Sequence, residues 1–97
     1  MDPTQDPVRA TVSAYNRQAT TLMQQGRHRE AIQVFDQAIQ LLPGSPATHF
    51  NRGNALLALQ ALDQAQQSYE TAIQLKPDYA RAMINLAVGF RGVCPAG

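Results

Sequence analysis

The segment EAIQVFDQAIQLLP, from Glu30 to Pro43, returns as QAQQSYETAIQLKP, from Gln64 to Pro77. The offset is 34 residues throughout, and between Arg29–Ser45 and Asp63–Tyr79 seven of 17 pairs are identical, from Ala31/Ala65 to Pro43/Pro77. Phe35/Tyr69 and Asp36/Glu70 are near matches, and Asn51 and Asn85 stand at the same offset. A period of this size marks one supersecondary unit written twice. Such a unit cannot bury its apolar face alone and becomes stable when stacked on a neighbour.

Each unit reads as two helices. Asp6-Pro7 has the form of an N-cap followed by proline at the first helical position. Beyond it Val8, Val12, Tyr15, Ala19, Leu22 and Met23 recur at helical spacing until Gly26. The same spacing predicts a second helix over about Arg29 to Leu42, closed by Pro43-Gly44, and a third from the Ser45-Pro46 cap to about Leu59. A fourth runs from about Leu62 to Leu75, and a fifth, capped by Asp78, through about Phe90. No segment shows the period of two that marks a strand. The turns are short, so neighbouring helices should pack antiparallel in an all-α fold. Ala31, Ala38, Ala65 and Ala72 are expected where helices approach closely, with Ala19 and Gly53 matching on the first helix of each unit. Phe35 and Tyr69 would then fill the space between units.

These residues resemble the pattern of the tetratricopeptide repeat family. The 34-residue period, the helix–turn–helix unit and Gly53, Ala65, Tyr69, Ala72 and Pro77 fit it, as do Ala19, Ala31, Phe35, Ala38 and Pro43 in the earlier copy. The likeness runs from about Val12 to Phe90. It implies a short right-handed α-solenoid of antiparallel helix pairs, about five helices in all. The organisation would be an extension at 1–6, a helical domain at 7–91 with repeats at about 12–45, 46–79 and 80–91, and a flexible tail at 92–97. His49 and Met83 stand where the pattern has an aromatic, and Gln18 and Arg52 where it has leucine, so weaker packing is expected between some repeats.

Composition narrows the function classes. Eight basic and seven acidic residues leave a net charge of +1, which gives no long-range attraction to nucleic acid or an anionic membrane. The run Ala55 to Leu59 is far short of the roughly 20 apolar residues of a membrane span. The opening MDPTQDP lacks the basic and apolar regions of a secretory signal and is expected to be a natural N-terminus. A single cysteine, Cys94, leaves no intrachain disulfide. His28, His49 and Cys94 form no cluster at metal-ligand spacing, and no glycine-rich phosphate loop follows a strand. The expectation is a cytoplasmic, non-catalytic protein with no cofactor or metal.

The resemblance implies that first helices line a concave side on which partner peptides lie. At the 34-residue offset their positions form rows: Arg17, Asn51 and Asn85; Thr20, Asn54 and Val88; Asn16, Phe50 and Ile84; Met23, Leu57 and Arg91. The expected peptide groove is Asn16, Arg17, Thr20, Phe50, Asn51, Asn54, Leu57, Arg81, Ile84 and Asn85. An asparagine amide both donates and accepts, so two in line can hold the main chain of an extended peptide. Arg81 would take a carboxylate in bidentate fashion, and Phe50, Leu57 and Ile84 would supply apolar contact. A family subclass recognises a C-terminal carboxylate, but only Asn51 and Arg81 fit its pattern. Asn16, Thr20 and Asn85 depart from it, so no strong preference for a free C-terminus is expected. The competing reading makes Asn51 and Asn85 bridges between helices and Phe50 ordinary packing.

The last predicted helix carries a broad apolar arc, with Arg81, Asn85 and Gly89 as its polar edge. A terminal solenoid helix normally turns a polar face outward. Three readings stay open: a fragment of a longer array, self-association through Met83, Leu86, Ala87 and Phe90, or docking of a different protein. The function classes are therefore an adaptor with a protein or peptide partner and a structural unit that self-associates as a homo-oligomer. A further alternative is the N-terminal part of a longer repeat protein or enzyme.

Overall fold

The computed structural model describes residues 7–79. They form four helices: α1 (Pro7–Gln24), α2 (His28–Leu41), α3 (Pro46–Ala58) and α4 (Leu62–Leu75). No strand occurs among the described residues. The bounds agree with the apolar spacing to within about two residues. The fifth helix expected through Phe90 lies outside the described residues.

The turn that closes each first helix is built twice on one plan. After α1, the Arg27 N–H donates to the Leu22 carbonyl (2.8 Å) and the Gly26 N–H to that of Met23 (3.0 Å). After α3, the Ala61 N–H donates to Leu56 (2.9 Å) and the Gln60 N–H to Leu57 (3.0 Å). This is a Schellman arrangement, which satisfies carbonyls left over at the helix end and needs one left-handed residue. Gly26 supplies it at φ +79° and Gln60 at φ +65°. The offset of 34 connects the two positions, yet only the first carries glycine. A side-chain-bearing residue in this conformation costs roughly 1–2 kcal/mol.

The start of α3 differs in detail from its expected cap. Ser45 is extended, as an N-cap requires, and Pro46 opens the helix, but the serine side chain caps no backbone N–H. Its hydroxyl instead accepts from the Thr48 hydroxyl at 3.1 Å.

The core has two clusters. Ala19, Ala31, Phe35 and Ala55, all fully buried, join α1, α2 and α3. Phe50, Leu56, Ala65, Tyr69 and Ala72 join α3 and α4, and Ile32 of α2 packs against both clusters. The alanines therefore sit at close helix approaches, as their spacing implied. Gly53 marks the closest: a Cβ there would lie 2.8–2.9 Å from two ring carbons of Tyr69.

Helices pack α1 on α2, α2 on α3 and α3 on α4; α1 and α3 also touch, whereas α2 and α4 do not. The stack is thus closed along its first helices and open along its second helices, which puts α1 and α3 on the inner flank of the bend. Arg52 of α3 spans the open side. Its Nε donates to Asp36 of α2 (2.7 Å) and its Nη1 to Ser68 of α4 (2.9 Å). A polar tie therefore stands where the family pattern has leucine. Ser68 is buried, while Asp36 stays half exposed. The ion pair is therefore worth no more than about 1 kcal/mol.

Candidate functional site

The faces of α3 are nearly all assigned by their contacts. Arg52 points toward α2 and α4, Thr48 and Ala55 toward α1 and α2, and Phe50 and Gly53 toward α4 and Tyr79. The stripe that remains is Ala47, Asn51, Asn54 and Ala58, none of it buried. These residues recur at helical steps and so share one side of the helix.

On α1 the corresponding side is hollowed. Ser13, Asn16, Arg17, Thr20, Thr21 and Gln24 line an open depression. Ser13 and Asn16, with Arg9, continue into a second depression that reaches Ser45, Pro46 and Ala47 at the start of α3. The two hollows meet at Ser13 and Asn16, and this shallow, open trough runs along α1.

Local hydrogen bonding fixes the trough's polar groups. The Thr20 hydroxyl donates to the Asn16 carbonyl (2.7 Å) and the Thr21 hydroxyl to that of Arg17 (3.0 Å). Both hydroxyl hydrogens are used inside the helix, so toward a ligand each oxygen can act only as an acceptor. The Asn16 amide donates to the Thr48 hydroxyl at 3.1 Å, a link from α1 to α3. Its Oδ1 is buried and has no hydrogen-bond partner. Arg17 is exposed and meets no carboxylate among the described residues.

Of the ten expected groove residues, the structure brings Asn16, Arg17 and Thr20 together in the trough and leaves Asn51 half exposed on the neighbouring stripe of α3. Asn54 lies on that stripe, and its Oδ1 accepts the Tyr69 hydroxyl at 2.5 Å. Its amide is therefore anchored to its own repeat. Phe50 requires a correction. It was expected to give apolar contact in the groove, but it is 9% exposed, with its ring 6.1 Å from that of Tyr69 and 5.3 Å from that of Tyr79. Its place is in the core, because α3 presents it to α4 and to the turn after it. Leu57 is half buried against the same cluster. Arg81, Ile84 and Asn85 lie outside the described residues, as do Met83, Leu86, Ala87 and Phe90.

Thr48 escaped the sequence reading. It is fully buried and links Asn16 to Ser45 through its hydroxyl. Its only signal was a polar residue on the apolar side of the third helix. The Arg27 guanidinium is held above its ordinary pKa by its hydrogen bond to Glu30 and then by the attraction of that carboxylate, but it sits on an exposed turn away from the trough. Among the described residues no three His, Cys, Asp or Glu side chains gather as a metal site. No helix there is long and apolar enough to cross a membrane.

Comparison with known proteins converges on one architecture. Residues 22–82 match a family model described as tetratricopeptide repeat. Over 79 residues the chain is 34% identical to human protein O-mannosyl-transferase TMTC1, covering 77% of this chain and 9% of that protein. Over 78 residues it is 33% identical to an Arabidopsis thaliana protein CTR9 homolog, covering 79% of this chain and 7% of the relative. The chain thus spans less than a tenth of either relative's length. Among solved structures, the first TPR of Spaghetti (RPAP3), bound to the HSP90 peptide SRMEEVD, superposes with a TM-score of 0.81 at 23% identity. That match covers 91% of this chain and 68% of the neighbour.

Proposed function

We propose that this chain, which belongs to the tetratricopeptide repeat family, is a non-catalytic protein–protein interaction module that binds an extended peptide segment of a partner along its first helices. The observation that supports this reading is the trough on α1 beside the unburied stripe of α3. Amides, hydroxyls and one free guanidinium line the flank on which α1 and α3 touch. Main-chain groups of an extended peptide would pair with the Asn51 amide, and the threonine oxygens would accept peptide N–H groups. Arg81 and Asn85 would continue the row beyond the described residues. The proposed setting is cytoplasmic, and the reading assigns no cofactor.

The peptide SRMEEVD bound to the Spaghetti repeat is a candidate ligand class. Asn51 and Arg81 alone fit the terminal-carboxylate pattern, so the free C-terminus is expected to matter little. Calorimetry with SRMEEVD and its amidated form tests both points. Binding that falls less than about tenfold on amidation, and that falls on Asn51→Ala at unchanged Tm, supports the reading. Binding that ignores Asn51→Ala contradicts the groove. A loss beyond about tenfold on amidation contradicts the expectation that the free C-terminus matters little.

A second reading is favoured by the short coverage of longer relatives. In it, Met83, Leu86, Ala87 and Phe90 join the chain to a second copy or to further repeats. Light scattering at micromolar concentration should then show an assembly that Leu86→Glu weakens; a clean monomer excludes self-association.

A further inference from the structure

Two local irregularities stand together where α1 meets the start of α3. An N-cap serine ordinarily spends its side-chain oxygen on a backbone N–H of the first helical turn. Ser45 has the extended backbone of a cap, yet its side chain bonds none of those N–H groups. Thr48, fully buried, stands where the first repeat has Ala14, so its hydroxyl belongs to the second repeat alone.

Both irregularities belong to one chain of hydrogen bonds. The Asn16 amide donates to Thr48 Oγ1 (3.1 Å), and the Thr48 hydroxyl donates to Ser45 Oγ (3.1 Å). The buried end sets the direction of this relay. Run the other way, Ser45 would donate to Thr48 and Thr48 to Asn16, with the amide turned over. Two N–H donors would then replace one oxygen at the buried Asn16 position that has no hydrogen-bond partner, which costs more. In the observed direction the Ser45 oxygen accepts, and its hydrogen meets no acceptor among the described residues.

Ser45 lines a hollow of about 340 Å³ that continues the trough of α1. Val12, Leu42 and Pro46 give this hollow apolar walls, and Ser45 is half-buried among them. Arg9 reaches the same hollow but is engaged within the molecule.

We infer that Ser45 is a ligand-contacting donor of the groove, giving its O–H to a main-chain carbonyl of the bound segment, and that Thr48 is the residue that positions it. This rests on the peptide-binding reading above and deepens it. A carbonyl only accepts, so it matches a hydroxyl whose oxygen is already taken by Thr48 and whose hydrogen is left over. Apolar walls lower the local dielectric and strengthen such a bond. At the far end of the trough the Thr20 and Thr21 oxygens can only accept, so the groove offers acceptors along α1 and a donor at the start of α3. Like the Asn51 amide, Ser45 would read the main chain of a partner and not the identity of its side chains.

The test is calorimetry of the full chain with SRMEEVD and with versions of it in which one backbone amide at a time is an ester, which weakens the carbonyl as an acceptor. Ser45→Ala should weaken binding of SRMEEVD about three- to tenfold. Thr48→Val removes the relay and should weaken binding about twofold or more, with no further loss in a chain that already carries Ser45→Ala. Thr48→Ser keeps the hydroxyl and should bind as the unaltered chain does. One ester should weaken binding to the unaltered chain and leave binding to the Ser45→Ala chain unchanged. Melting curves establish that each variant is folded at the temperature of titration. Binding that falls on Asn51→Ala but ignores Ser45→Ala overturns the role of Ser45 and leaves the groove standing. Additive losses from Ser45→Ala and Thr48→Val, or a Thr48→Ser chain that binds as weakly as Thr48→Val, overturn the positioning role of Thr48. Esters that weaken both chains equally overturn the choice of a main-chain carbonyl. Absence of SRMEEVD binding to the unaltered chain overturns the inference together with the reading on which it rests.

Discussion

The two repeats solve one packing problem with different side chains. In the first, Ala19 and Phe35 lie in an apolar cluster with Ala31 and Ala55, and the Phe35 ring carries no polar atom. In the second, Gly53 replaces the alanine, Tyr69 replaces the phenylalanine, and the added hydroxyl bonds Asn54, which stands where the first repeat has Thr20. The changes belong together. Tyr69 lies so near the α3 backbone that no methyl fits at residue 53, and its hydroxyl then needs a polar partner. One repeat is filled by a wholly apolar ring, the other by a ring with an anchored polar end.

This contrast can be broken most severely at Tyr69. Tyr69→Ala empties the fully buried site and should cost about 3–5 kcal/mol, enough to unfold so small a domain; urea denaturation followed by circular dichroism checks it. Next comes Gly53→Ala. The methyl would meet the Tyr69 ring, and overpacking of about 1–3 kcal/mol outweighs a helix-propensity gain of up to about 1 kcal/mol. A lowered Tm is expected, although the first repeat carries alanine at the matching place.

The turns supply a pair of opposite signs. Gln60→Gly should raise stability by roughly 1 kcal/mol and Gly26→Ala should lower it by a similar amount, since both positions are left-handed. Thermal melts of the two variants check the pair, and equal signs would contradict the shared turn geometry. The smallest effect belongs to Asp36→Asn. With the carboxylate half exposed, the loss should stay below about 1 kcal/mol and shrink further in high salt.

Much of this was legible before any coordinates. The helices followed from apolar spacing, and the close approaches followed from alanines recurring 34 apart. The turn after α3 was legible only by carrying Gly26 forward to Gln60, because glutamine by itself signals no left-handed conformation. Phe50 was misplaced because its row pairs it with Asn16 and Ile84, whereas α4 and Tyr79 close over it. Arg52 reads as a defect in a leucine position; only the folded structure shows that its side chain reaches two second helices that do not touch each other.

The account stands on the first-helix flank being the binding face. Backbone amide chemical shifts of the full chain, recorded with and without the peptide SRMEEVD, test this most directly. Shifts concentrated at Ser13, Asn16, Arg17, Thr20 and Asn51 are predicted. Shifts concentrated instead at Gln37, Gln40, Thr71 and Gln74, on the second helices, would contradict it.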